Sequence, residues 1–105
     1  MASTTKAVSV TTSAIELIAS NKQRIFAMIQ NTSATIPVYV GFSNAVTAPA
    51  TAATAGFLLG VGATFKVEFG GGRGNYQYYW RGPFWAISTS GTAVVHVTEM
   101  EDSDV

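Results

Sequence analysis

Apolar and polar residues alternate along much of the chain, most regularly from residue 36 onward. In TFKVEF, residues 64–69, polar and apolar residues alternate at every position. This period of two is typical of a β-strand that buries only one of its faces. IPVYVGF, residues 36–42, repeats the pattern with a branched or aromatic residue at every second position. Both stretches are therefore predicted to be strands.

A hairpin is predicted near the end of the chain. FWAISTS and TAVVHVTE are both rich in β-branched and aromatic residues, and Ser90-Gly91 lies between them. A serine-glycine pair between two strand patterns is typical of a tight turn. We therefore expect these two strands to pair with each other.

The stretch SAIELIASNKQRIFAMIQN, residues 13–31, is ambiguous. Ser13 and Glu16 have the spacing of a helix capping box. On the other hand, Ser20-Asn21-Lys22 resembles a turn, and RIFAMIQN fits a strand with two apolar faces equally well. We favour two strands around a turn and keep the helix as the alternative.

The pattern as a whole predicts an all-β fold in one domain, residues 1–105, with a flexible N-terminus and a short acidic C-terminal tail. Seven or eight short antiparallel strands separated by turn residues favour a β-sandwich or jelly roll. Residues 45–55, rich in alanine and threonine, and residues 70–75, rich in glycine, are predicted to be long surface loops.

Charge is scarce on this chain. Only 11% of residues are charged, against about 25% in an average soluble domain. A surface so poor in charge suggests that other chains cover part of it. The formal net charge is zero, and four of the six acidic residues lie between 99 and 104. The remainder is far less basic than a nucleic-acid-binding domain, so nucleic acid is not an expected partner.

The residue types that catalysis and metal binding require are mostly missing. The chain has no cysteine, and its one histidine, His96, falls on a strand face shared with Val94 and Thr98. Glu16 and Glu68 are the only carboxylates before residue 99, so neither a Ser-His-Asp relay nor a histidine-carboxylate metal cluster is indicated. We expect no enzyme activity, no cofactor and no metal, and no stretch apolar enough to span a membrane.

The most unusual segment is FGGGRGNYQYYWRGPFW, residues 69–85, which holds seven of the twelve aromatic residues. Aromatic side chains fall on both faces of its alternating part, and one sheet face can bury only one of them. Tyrosine, tryptophan and arginine together are typical of protein interfaces. Sugar stacking and base stacking are the alternatives, but base stacking would call for more lysine and arginine. The predicted interface residues are Arg73, Tyr76, Tyr78, Tyr79, Trp80, Arg81 and Trp85.

The order of three stretches carries a resemblance. They are AIELIASNKQRIFAMIQNTSATIPVYVGFSNAVT, then GFLLGVGATFKVE, then RGPFWAISTSGTAVVHVTE, and they span residues 13–99 with gaps. In this order they resemble small virion proteins of tailed bacteriophages. Those sequences look like an arginine-led strand ending in Gln-Asn-Thr/Ser, a Val-Tyr-Val-Gly strand, a Gly-Leu-x-Gly turn and a closing Ala-Ile-Ser–Ser-Gly-Thr-Ala hairpin.

The resemblance implies a compact β-sandwich on the phage particle, without enzyme activity. It implies a capsid decoration or cement protein on the capsid surface, with the major capsid protein and copies of itself as partners. A trimer would suit the local three-fold positions of an icosahedral shell. The alternative is a tail or fibre module that binds host-surface glycan through residues 76–85. GGGRGNYQYYW looks like an elaboration of the family pattern, so the resemblance assigns it no role.

Overall fold

The chain is all-β. A computed structural model describes residues 2–47, 56–68 and 80–101, which form eight strands and no helix. The strands are β1 Ala2–Val10, β2 Ile15–Ile18, β3 Arg24–Asn31, β4 Val38–Gly41, β5 Phe57–Leu59, β6 Thr64–Glu68, β7 Phe84–Ser88 and β8 Ala93–Glu101. The predicted fold class is confirmed.

The eight strands form two antiparallel four-stranded sheets. The first sheet has the order β1-β8-β3-β6, and the second has the order β2-β7-β4-β5. Every connection except the one between β4 and β5 passes from one sheet to the other. This order of strands is that of an eight-stranded jelly roll.

The core lies between the two sheets and follows from the alternation of the strands. β7 and the first half of β8 bury every second side chain, so that Phe84 and Ala86 face Val95 and Val97 across the sandwich. Val38 and Val40 of β4 are fully buried in the same core. Because successive strand residues point to opposite faces, the residues between them lie on the outside of the sheets.

Residues 13–31 form two strands, as we favoured, and the helical alternative is wrong. Ile15–Ile18 is β2 of the second sheet and Arg24–Asn31 is β3 of the first. The turn between them is closed by Asn21, whose side-chain oxygen accepts a hydrogen bond from the Gln23 amide at 3.0 Å. Its backbone oxygen accepts another from the Arg24 amide at 3.2 Å.

The predicted hairpin between β7 and β8 is wrong. The two strands lie in different sheets, β7 between β2 and β4, and β8 between β1 and β3. The turn itself is present: Gly91 has a φ of 63°, and the Ser88 hydroxyl donates to its carbonyl at 2.7 Å. Sequence predicted the turn, but the turn carries the chain across the sandwich rather than back along the same sheet.

The first and last strands include residues that we expected in a flexible start and an acidic tail, while Asp102 and Asp104 lie outside the described residues. Ala2–Val10 is a strand that pairs with β8 in one continuous register. Glu99 and Glu101 belong to β8 rather than to a tail. The first is held by an arginine and the second by an asparagine, so both carboxylates have partners.

Candidate contact site

Arg24 is the largest fully buried side chain of the described residues, and it organises one end of the sandwich. Its Nε donates to Glu99 Oε2 at 2.7 Å, which pairs β3 with β8 by charge. Its guanidinium carbon also lies 5.5 Å from the centre of the Phe84 ring, a cation–π distance. A buried arginine needs partners for its donors, and here they come from β8 and from the connections next to β2 and β7.

The remaining contacts of Arg24 hold the chain that leads into the second sheet. One terminal nitrogen, Nη1, donates to the carbonyls of Trp80 at 3.1 Å and Gly82 at 2.9 Å. The other, Nη2, donates to the carbonyl of Ala19 at 2.7 Å. Ala19 follows β2 and Gly82 precedes β7, so a single side chain of the first sheet holds two connections that run between the sheets.

Trp80 is seated on the segment that Arg24 holds. Its indole Nε1 donates to the carbonyl of Pro83 at 2.8 Å. A Cβ atom on Gly82 would overlap the indole ring of Trp80, so the ring can lie here only because residue 82 has no side chain. Gly82, the glycine in WRGP, therefore leaves room for the Trp80 ring of the same chain.

Trp80 and Phe42 form an exposed pair of aromatic rings, which we call the aromatic rim. Their centroids are 5.0 Å apart and their planes are tilted by 60°. Phe42 is 44% exposed and Trp80 is 39% exposed. Behind them, Phe42 contacts Phe57 and the fully buried Phe84, with centroids 6.3 Å and 5.7 Å away.

The aromatic rim is thus an apolar surface whose two rings are both held by contacts within the chain. One ring is held by a hydrogen bond and a glycine seat, and the other by the rings of the core. Large exposed aromatic side chains contribute strongly to protein binding when a partner covers them. Rings already fixed in position lose little conformational entropy on binding.

Arg81, a predicted interface residue, makes contacts within its own chain. Its Nε donates to the backbone carbonyl of Arg24 at 3.1 Å, and its carbonyl accepts from the Asn21 amide at 2.8 Å. Asn21 in turn donates through Nδ2 to Glu101 Oε2 at 2.6 Å. Arg81 is still exposed. It follows Trp80 of the aromatic rim directly, and its backbone is hydrogen-bonded to the β2–β3 turn.

Trp85 is separated from the rim and lies on the outer face of the second sheet. It is half-buried and points away from the core, because its neighbours Phe84 and Ala86 point into it. In the next position on the same face, Tyr39 of β4 lies opposite Ile87 of β7 and Leu58 of β5. Leu58 is 56% exposed. We call these four residues the outer apolar face.

The structure brings together only part of the predicted interface. Trp80 and Arg81 are neighbours at the rim, and Trp85 lies on the outer apolar face. Arg73, Tyr76, Tyr78 and Tyr79 lie outside the described residues, as do most of the two predicted loops and residues 102–105.

No sequence pattern indicated Phe42, Arg24 or Gly82 as contributors to the site. Phe42 ends the alternating stretch IPVYVGF, where it fits a core position equally well. Arg24 begins an apolar strand and could have been suspected, since a charged residue inside such a pattern needs a partner. Nothing in the sequence alone tells that Gly82 receives the Trp80 ring.

Other kinds of site find little support in the part of the chain that the structure describes. No three histidine or acidic side chains gather there as a group that could hold a metal ion. His96 is exposed on the outer face of the first sheet, the face that it shares with Val94 and Thr98. None of the described segments forms a helix long and apolar enough to cross a membrane.

Comparisons with protein-family models, with curated proteins and with solved structures found no match to this chain.

Proposed function

We propose that this chain is a structural protein of a tailed-phage virion that decorates or cements the capsid by binding across joints between capsid subunits. The single observation that supports this most is the aromatic rim, two exposed rings held in place by the core and by the segment that Arg24 fixes. The resemblance of residues 13–99 to small virion proteins is the reason for proposing the phage particle as the place where this surface binds.

A contact role fits the rim better than a chemical role does. Phe42 and Trp80 offer apolar area, and the side chains of Arg24 and Arg81 both make hydrogen bonds to the chain's own backbone. Apolar rings beside a cation are typical of interface hot spots. A protein that binds only the assembled shell stabilises that shell by mass action, with no reaction required.

The fold is compatible with this role, by analogy. Eight-stranded jelly rolls occur in viral capsid proteins and in lectins, although a fold alone does not assign a function. We further propose that several copies associate on the particle, as a trimer at local three-fold positions. Low charge over the whole chain supports coverage of its surface by neighbours.

A second candidate is a tail or fibre module that binds host-surface glycan. The observation that favours it is the outer apolar face, where Tyr39 and Trp85 are both half-buried on the same face of one sheet. Exposed aromatic rings that share a face suit stacking against sugar rings. A glycan array distinguishes the two candidates. A glycan-binding module is expected to bind a glycan and to lose that binding in the Trp85→Ala variant, whereas a decoration protein is expected to show no such binding.

The test of the first candidate is binding to shells of the phage that encodes the chain. Purified protein is added to shells lacking it, and bound protein is measured after sedimentation. Trp80→Ala and Phe42→Ala are each expected to weaken binding by at least about tenfold, the effect of losing roughly 1.4 kcal/mol. Val94→Ala is the matched control, because Val94 is 40% exposed on the opposite sheet. Unchanged binding by both rim variants, or no binding by the parent, contradicts the proposal.

A further inference from the structure

The four edge strands of the sandwich differ in how open they are to another strand. β2 has four residues and a register shift between Glu16 and Ile18, β5 has three residues, and β6 has five. β1 has nine residues in unbroken register with β8 and contains neither glycine nor proline. Short or irregular edges discourage strand addition, and a long regular edge permits it.

The free side of β1 is a row of backbone hydrogen-bonding groups. β1 lies at the edge of the first sheet, and no other described strand pairs with its outer side. In an antiparallel pair, every second residue turns its N–H and C=O groups away from the partner. The side chains from Ser3 to Ala7 are exposed, so water now solvates a backbone that an extended peptide could hydrogen-bond.

A cleft of about 310 Å³ opens directly beneath this edge. It lies between β1 and the turn that follows β2, and is lined by Thr4, Lys6, Ile18, Asn21, Val97 and Glu99 among others. Lys6 lies opposite buried Val97 in the register, which places the lysine on the inner face of β1. Side chains of a strand added to β1 would therefore point toward this cleft.

Lys6 is the positively charged side chain that lines the cleft. Glu99 is paired with Arg24 at 2.7 Å, so its charge is compensated. Among the described residues, Arg24 and Glu99 form the one ion pair that the structure shows. Lys6 therefore has no described carboxylate within ion-pair distance. An inward-facing lysine on an edge strand opposes pairing with an ordinary apolar strand, because its charge would be covered. It would instead favour a strand that carries a carboxylate opposite to it.

We propose that the free edge of β1 and the cleft beneath it form a docking site for an extended peptide segment of another protein that carries an aspartate or glutamate. The segment adds a strand to the first sheet, and its acidic side chain enters the cleft beside Lys6. Directly opposed residues of an added strand lie about 4.5–5.5 Å apart at Cβ, within reach of an ion pair. The site is on a different strand from the aromatic rim and does not depend on the proposed function.

A second copy of β1 is a poorer occupant than an acidic strand. Symmetric pairing of two β1 strands brings two Lys6 side chains to neighbouring inner positions, and like charges across a strand pair are destabilising. Lys6 therefore favours pairing of β1 with an acidic strand and disfavours pairing of β1 with the β1 strand of a second copy.

The test uses labelled peptides of alternating valine and threonine with one central glutamate or, in the matched peptide, one central lysine. Binding to the unmodified protein is followed by fluorescence anisotropy, and the site is mapped by amide chemical shifts. We expect the glutamate peptide to bind at least about tenfold more tightly than the lysine peptide. The shifts are expected at β1, and the preference is expected to weaken as salt is added.

Two variants and one modified peptide complete the experiment. Lys6→Glu is expected to reverse the preference, whereas Lys66→Glu, on the outer face of edge strand β6, is expected to leave it unchanged. N-methylation of the peptide backbone is expected to abolish binding, because strand addition needs those N–H groups. The proposal is overturned if neither peptide binds, if the shifts fall elsewhere, if the methylated peptide still binds, or if Lys6→Glu keeps the parental preference.

Discussion

Arg24 is the residue on which the candidate site depends most. A guanidinium presents five donors in a fixed fork, and four of the contacts made with them reach Glu99 and the carbonyls of Ala19, Trp80 and Gly82. No uncharged side chain of similar size could replace all four. The buried charge is therefore the element that couples the two sheets next to the aromatic rim.

Removing this charge is expected to be costly. Arg24→Met leaves the three carbonyls and Glu99 without their donors, and breaking a buried ion pair from one side costs about 3 kcal/mol. Urea unfolding is expected to show a loss of this order in the free energy of unfolding. Lys22→Met is the control: Lys22 is exposed on the adjacent turn, so its loss is expected to stay within about 0.5 kcal/mol. Equal effects of the two substitutions would contradict the role given to Arg24.

The seat of Trp80 makes a second prediction at this scale. Gly82→Ala places a methyl group where the indole ring lies, so the ring is expected to leave its position. In a Trp85→Phe background, the emission of Trp80 is expected to shift to longer wavelength as the ring enters water. Gly60→Ala is the matched control, since a Cβ there meets no atom within 4 Å. An unshifted spectrum in the Gly82 variant would show that the seat is not required.

At the scale of strands, the period of two predicted what each strand buries but not what each strand pairs with. TFKVEF and IPVYVGF contain strands β6 and β4, as predicted. The same alternation gave no sign that β7 and β8 belong to different sheets, because a strand buries one face whichever neighbour it has. The tight turn at Gly91 therefore led to the wrong hairpin.

The N-terminal strand shows a second limit of such reasoning. In STTKAVSV, only Val8 and Val10 contact the core, and the residues before them are exposed. Backbone pairing with β8 forms this strand, and backbone hydrogen bonds do not depend on the side-chain pattern. Its sequence therefore resembled a flexible terminus.

A prediction about strand pairing concerns Lys6. If its charge on the inner side of β1 opposes self-pairing, Lys6→Thr is expected to raise self-association through that edge. Sedimentation velocity at increasing protein concentration measures this directly. Lys66→Thr removes an equal charge from edge strand β6, where the side chain faces outward, and is expected to change little. A Lys6 variant that sediments like the parent would remove the guarding role of this lysine.

For the whole molecule, sequence predicted the fold class and located Trp80, Arg81 and Trp85 on or near the surface. It did not separate them into two surfaces: Trp80 precedes β7 and packs on Phe42, whereas Trp85 lies on the outer face of β7. It also could not supply Phe42, which is far from Trp80 in sequence and contacts it only in the folded chain. Contacts between distant residues are set by topology, and no local pattern encodes them.

The proposed binding of this protein to a phage capsid through the aromatic rim can be observed on the particle itself. A cryo-electron-microscopy reconstruction of the intact virion, with the jelly roll fitted to its density, makes that observation. We expect many copies on the capsid surface, each with Phe42 and Trp80 against a capsid subunit or a sister copy. Density for the chain only at the tail, or on the capsid with both rings facing solvent, would contradict it.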